Sequence, residues 1–211
     1  MTTKLEIYNK ALGHLGSTRL HPSQGLSENR SDRRALDARW SGVCEEMLEL
    51  GIWRFALRTY QADADPDIEP AFGLQYAYVL PDDFKGLHKI ALDEKLSQED
   101  RSFEREGDRI YSDHSTLYFT IVSNGAAYGM NVGLWTELYA EAHGLLLANK
   151  TAVEITKDQN LETKLLRKFE GIFLPRAKRK DAVDTRVLSK PQGSWTIARF
   201  TRSGATNRRA E

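Results

Sequence analysis

Near both ends of this 211-residue chain apolar residues recur every three or four positions; in the middle they recur every second position. A helical framework therefore has to accommodate a sheet placed between its halves. Leu5, Tyr8, Leu12 and Leu15 share one helical face, with Ala11 beside them, and Gly16 supplies a left-handed stop. A polar loop follows over His21–Asn29. Ser31 and Asp32 then open a second helix, offering a side-chain oxygen and negative charge to its free N–H groups. Its apolar positions are Leu36, Trp40, Val43, Cys44, Met47 and Leu48, and Gly51 ends it.

Alternation over Arg54–Ala62 reads as a strand. Asp63–Pro70 is an acidic turn, and Leu74–Leu80 is a strand with Tyr76 and Tyr78 on one face, closed by Pro81. Leu87–Leu92 is another short strand, and Ser102–Glu106 and Arg109–Ser112 form a hairpin around Gly107-Asp108. Thr116–Val122 (TLYFTIV) is apolar enough to be buried on both faces.

Helical spacing returns in Trp135–Ala152, through Leu138, Tyr139, Ala142, Leu145, Leu146 and Ala148. It continues in Lys157–Lys180, where Pro175 predicts a kink or a break and RAKRK suits a helix C-terminus. The expected class is α+β. N- and C-terminal helices form an antiparallel helical bundle, with a β-rich insert and an extended C-terminal arm. The divisions fall at 1–53, 54–123, 124–183 and 184–211.

Thirty basic residues balance thirty acidic ones, which argues against a protein that works chiefly by wrapping nucleic acid. The single cysteine, Cys44, excludes an internal disulfide framework and a multi-cysteine zinc site, and its apolar helical setting predicts a buried thiol. Charges at Lys4, Glu6 and Lys10 interrupt any signal-peptide pattern, and no apolar run is long enough to span a membrane. The expected location before any assembly is the cytoplasm.

Phosphate-cradling glycine motifs and metal-binding histidine or cysteine spacings do not occur, so no catalytic, cofactor or metal residue is expected. Two carboxylate groupings contain residues capable of acid–base chemistry. Glu137 and Glu141 share a helical face while His143 points about 200° away, which reads as two solvated glutamates and an interfacial histidine. Asp82, Asp83, Asp108 and Asp113, with His114 nearby, could supply the carboxylate pair of a sugar-chain hydrolase, but read more simply as turn residues.

From Asp184 onward the chain loses periodicity and carries six basic residues against two acidic ones, with Trp195, Ile197 and Phe200 among them. Such a segment serves as a docking arm with aromatic anchors and Arg199 and Arg202 at the rim, as a nucleic-acid arm, or as a disordered tail.

Six segments in order resemble one family. They are IYNKALGHLGSTRL, CEEMLELGIWRFALR, LQYAYVLPDDFKGLHKI, EREGDRIYSD, TLYFTIV and EAHGLLLANKTAVEIT. Together they resemble the tail tubular protein A family of short-tailed bacteriophages, the head-to-tail adaptors or connectors. The sharpest pieces are W-x-F-A at Trp53–Ala56 and Y-x-Y-x-L-P-x-D at Tyr76–Asp83, and the resemblance runs from Lys4 to Lys180.

The resemblance implies a structural virion protein, expected as a dodecameric ring beneath the portal. The ring extends the DNA channel, lets the genome pass without specific binding, and carries the nozzle protein and the tail fibres or spikes. It also implies that Trp195, Ile197, Arg199, Phe200 and Arg202 dock on the portal protein. Two rival readings remain, a tail-associated peptidoglycan hydrolase and a DNA-binding protein acting through the basic arm. The second predicts affinity that falls steeply with salt.

Overall fold

A computed structural model describes residues 2–23, 25–68, 70 and 73–183. Met1–Asp181 forms one compact unit and Ala182–Glu211 a second, of which only Ala182 and Val183 are described. The architecture is mixed helix and sheet, of the α+β kind. Among the described residues no helix is long and apolar enough to cross a membrane.

Helix α1 spans Lys4–Leu15 and begins with a reciprocal cap in which Thr3 and Glu6 satisfy each other's backbone N–H groups. Gly16 closes it in the left-handed conformation, φ 71°. Helix α2 spans Ser31–Glu49, and its start differs from expectation. Arg30 occupies the cap position, and no side chain caps the helix. Asp32 is taken up by Arg30 at 2.8 Å, and Ser31 turns its hydroxyl to Asp32. Trp53 then anchors the connection by donating its indole N–H to the Met47 carbonyl at 2.6 Å. Arg54–Ala56 is a single 3-10 turn, so strand β1 begins only at Leu57 and runs to Asp63.

The remaining strands are β2 (Tyr76–Val79), β3 (Phe84–Ala91), β4 (Glu104–Glu106), β5 (Arg109–Ser112) and β6 (Thr116–Ser123). They make two antiparallel three-stranded sheets, ordered β1-β6-β3 and β2-β5-β4. The β4–β5 hairpin turns at Gly107, φ 56°, where a side chain would be strained. In β6, Leu117, Phe119 and Ile121 face a core shared with Tyr78, Leu80, Ile90 and Ile110. Val122, on the opposite face, joins the core of the helices. One central strand thus links both cores, which is why TLYFTIV lacks a polar face.

Helix α3 (Glu137–Thr156) is capped by Thr136 and ends at Lys157, a non-glycine residue in the left-handed conformation at φ 59°. Its centre is buried nearly all round, and α1, α2 and α4 pack against it. Asp158 caps α4 (Gln159–Lys168). Pro175 does not break the helical run. Phe169–Phe173 forms a π turn, Leu174 donates to the Phe169 carbonyl five residues back, and α5 continues over Leu174–Val183. Proline has no N–H and its ring crowds the carbonyl four residues earlier, so widening the preceding turn relieves both problems.

Candidate functional site

The chemistry-bearing side chains of the helices converge on α3. Asp37 of α2 accepts the Tyr8 hydroxyl at 2.5 Å and Lys4 Nζ at 3.1 Å, and it also pairs with Arg33. Burial alone would raise the Asp37 pKa, but the Tyr8 hydrogen bond and the two cations outweigh it and hold the carboxyl below its usual value. Lys4 lies over the rings of Tyr8 and Trp40, with Nζ 5.2 and 5.0 Å from their centroids. Trp40 stacks on Trp135 at 5.9 Å, and Trp135 donates its indole N–H to the Gly129 carbonyl at 2.9 Å.

His143 is enclosed by this aromatic group, 4.9 Å from Trp40 and 4.7 Å from Trp135 between ring centroids. It is fully buried where α3 meets α2, turned away from Glu137 and Glu141. Its Nε2 lies 3.3 Å from Cys44 Sγ, and its Nδ1 has no hydrogen-bond partner. One turn earlier on α3, the buried Tyr139 hydroxyl is also without one. Burial pushes the Cys44 thiol up to about 12 and the His143 imidazole down to about 3. Near neutral pH both are uncharged. The thiol yields negligible thiolate and the imidazole is a poor base, so the pair does not make a nucleophile. It is a polar contact inside a core, and the thiol sits where helical spacing placed it.

Most of the other expected carboxylates serve as structural partners at separate places. Glu137 and Glu141 both pair with Lys10 of α1, and Glu141 also meets His14 at 3.2 Å, so the two glutamates join α1 to α3 while His143 faces inward. Burial lowers the His14 pKa despite the nearby Glu141. Asp83 takes both oxygens to Arg58 Nη1, at 2.7 and 2.8 Å, and accepts the Ser123 hydroxyl, fastening β1 and β6 to the turn before β3. These bonds hold the Asp83 pKa low against the opposing effect of burial. Asp82 and Asp108 are exposed, and Asp113 accepts the Gln75 backbone N–H. His114 contributes its carbonyl, not its ring, to Tyr78. Each of Asp83, Asp113 and His114 has a structural partner of its own. Among the described residues no three His, Cys, Asp or Glu side chains group as ion ligands.

Comparison with protein-family models finds no match, and comparison with curated proteins finds none.

Trp195, Ile197, Arg199, Phe200 and Arg202 lie outside the described residues. The pairing of Cys44 with His143 escaped the sequence reading because 99 positions separate them. One signal was available. His143 falls four residues after Tyr139 and three before Leu146, in the row of α3 that fills the core.

Proposed function

We propose that the chain is a head-to-tail adaptor of a short-tailed bacteriophage, a virion tail protein that acts by assembly rather than catalysis. Copies synthesised in the host cytoplasm join as a dodecameric ring beneath the portal. The ring extends the DNA channel and carries the tail nozzle and the fibres or spikes. The genome passes through its lumen without specific recognition.

One observation carries this reading. The six segments that resemble the tail tubular protein A family hold the residues that build both cores: Leu12, Trp53, Tyr78, Ile110, Phe119 and Leu146 come one from each, and all are buried. A resemblance carried by segments that each contribute to a core, in the same chain order, bears on the whole framework rather than on surface composition. On this reading α1 and α2 with the C-terminal helices are an antiparallel bundle, the strands are its insert, and residues 184–211 are the arm that seats on the portal. The balance of thirty charges of each sign suits subunit contacts that repeat head to tail around a ring.

The test is binding to purified portal rings from the same virion. Trp195→Ala with Phe200→Ala removes the two largest anchors of the arm. The variant is expected to lose portal binding while its thermal unfolding stays that of the wild type. Undiminished binding would remove the arm from the account.

A further inference from the structure

The run from α4 through the π turn into α5 has two distinct rows. Leu161, Leu165, Phe169, Phe173 and Ala177 recur every four residues and pack on the helical core. An interval of four drifts about 40° per step in a regular α-helix, and the wider π turn takes up part of that drift. One residue before four of these positions stand Lys164, Lys168, Ile172 and Arg176, about 100° around the helix, with Arg167 and Arg179 beside them. All six are exposed. None of the five cations forms an ion pair among the described residues. Ile172, at 43% exposure, adds apolar surface to the ridge.

The chain before the ridge carries the opposite charge. Residues 164–183 hold seven basic and two acidic side chains, while residues 1–163 hold 17 basic and 26 acidic ones. A neutral protein divided in this way complements itself, but only when one end of a copy meets the body of another. We propose that the basic ridge of α4 and α5 is the surface by which one copy of this chain grips the acidic body of the next. Two features favour a protein over nucleic acid as the occupant. Exposed Ile172 gains nothing from a phosphate backbone, and the acidic body repels one. The contact is heterologous, since ridge meets body rather than ridge, and such contacts propagate until a rotation closes them. The inference deepens the ring reading, supplying the face that joins neighbours.

The test uses the full chain alone, so its outcome is independent of portal binding. Native mass is followed over a concentration series at about 20 mM and about 500 mM salt, where screening lengths are about 20 Å and about 4 Å. At low salt the wild type should rise above 24.0 kDa with concentration, and high salt should return it to that mass. The triple variant Arg167→Glu, Arg176→Glu, Arg179→Glu should remain a monomer alone. Because it keeps its acidic body, the labelled variant should still join wild-type assemblies and cap their growth. Lys164→Gln with Lys168→Gln, which adds no negative charge, should weaken association by severalfold. A wild type that stays monomeric at low salt overturns the inference. So does a triple variant that associates as the wild type does, or one that folds but joins no wild-type assembly. Ridge-dependent binding of a 20-base-pair DNA duplex by a monomeric wild type, at about 20 mM salt, would assign the ridge to nucleic acid instead.

Discussion

Acidification should unfold this protein early, and His143 sets the effect. Its folded pKa is near 3 because the aromatic enclosure removes water and offers no counter-charge, whereas an unfolded histidine titrates near 6.5. Above pH 6.5 both states are neutral at this position and no stability is at stake. As pH falls below 6.5 the unfolded chain takes up a proton that the folded one refuses, so stability declines. The slope approaches about 1.4 kcal/mol per pH unit, or about 3 kcal/mol lost by pH 4.5, until the folded state also protonates near pH 3. That is a large share of the 5–15 kcal/mol or so typical of a domain. His14 and His88, both lowered chiefly by burial, act in the same direction. A His143→Leu variant retains both and so isolates the single group. Urea unfolding of the two proteins at pH 7, 6, 5 and 4.5 gives the difference directly, provided the denaturant slopes agree. Relative to the wild type, the variant should gain about 3 kcal/mol between pH 7 and pH 4.5. A difference that stays constant across that range would mean that His143 protonates in the folded state without cost, and the account of its burial would fail.

Other perturbations test separate parts of the structure. Gly129→Ala places a Cβ 2.3 Å from the Ser123 carbonyl oxygen and about 3 Å from Leu48, and should lower stability by about 2–3 kcal/mol in chemical denaturation. Asp83→Asn removes the charge that holds Arg58, and should cost about 1–2 kcal/mol at pH 7. Because the Asp83 pKa is depressed in the folded state, the wild type should lose that same contribution as pH falls below 3.8. Cys44 should resist a thiol-reactive dye in the native protein and react within minutes once urea unfolds it; rapid native labelling would contradict its burial. Purified cell walls should stay intact in the presence of the wild type. Clearance that disappears in Asp83→Asn or Glu141→Gln would replace assembly by enzymatic action.

Local chemistry made much of the fold readable. Gly16 and Gly107 each occupy a position with positive φ, so the helix stop and the hairpin were both visible in one residue type. The unbroken apolar run of Thr116–Val122 announced the strand that serves two cores. Interactions that compete with a local rule were less legible. Ser31 has the chemistry of a cap, yet the Arg30–Asp32 contact draws the cap back by one residue. Proline at position 175 predicts interruption, and only the packing of Phe169, Phe173 and Ala177 on the helical core explains why the chain widens a turn instead. Lys157, read as the start of a helix, closes the one before it. The interior of the helices was half visible: spacing marked Cys44 as buried, but nothing local joins α2 to the face of α3 that carries His143.

The central claim is assembly on a portal, and native mass spectrometry of portal rings mixed with excess protein tests it most directly. The account predicts one discrete product, a portal ring carrying a full complement of 24.0 kDa chains with few partly filled forms. Portal rings that emerge with their mass unchanged at every ratio would contradict it.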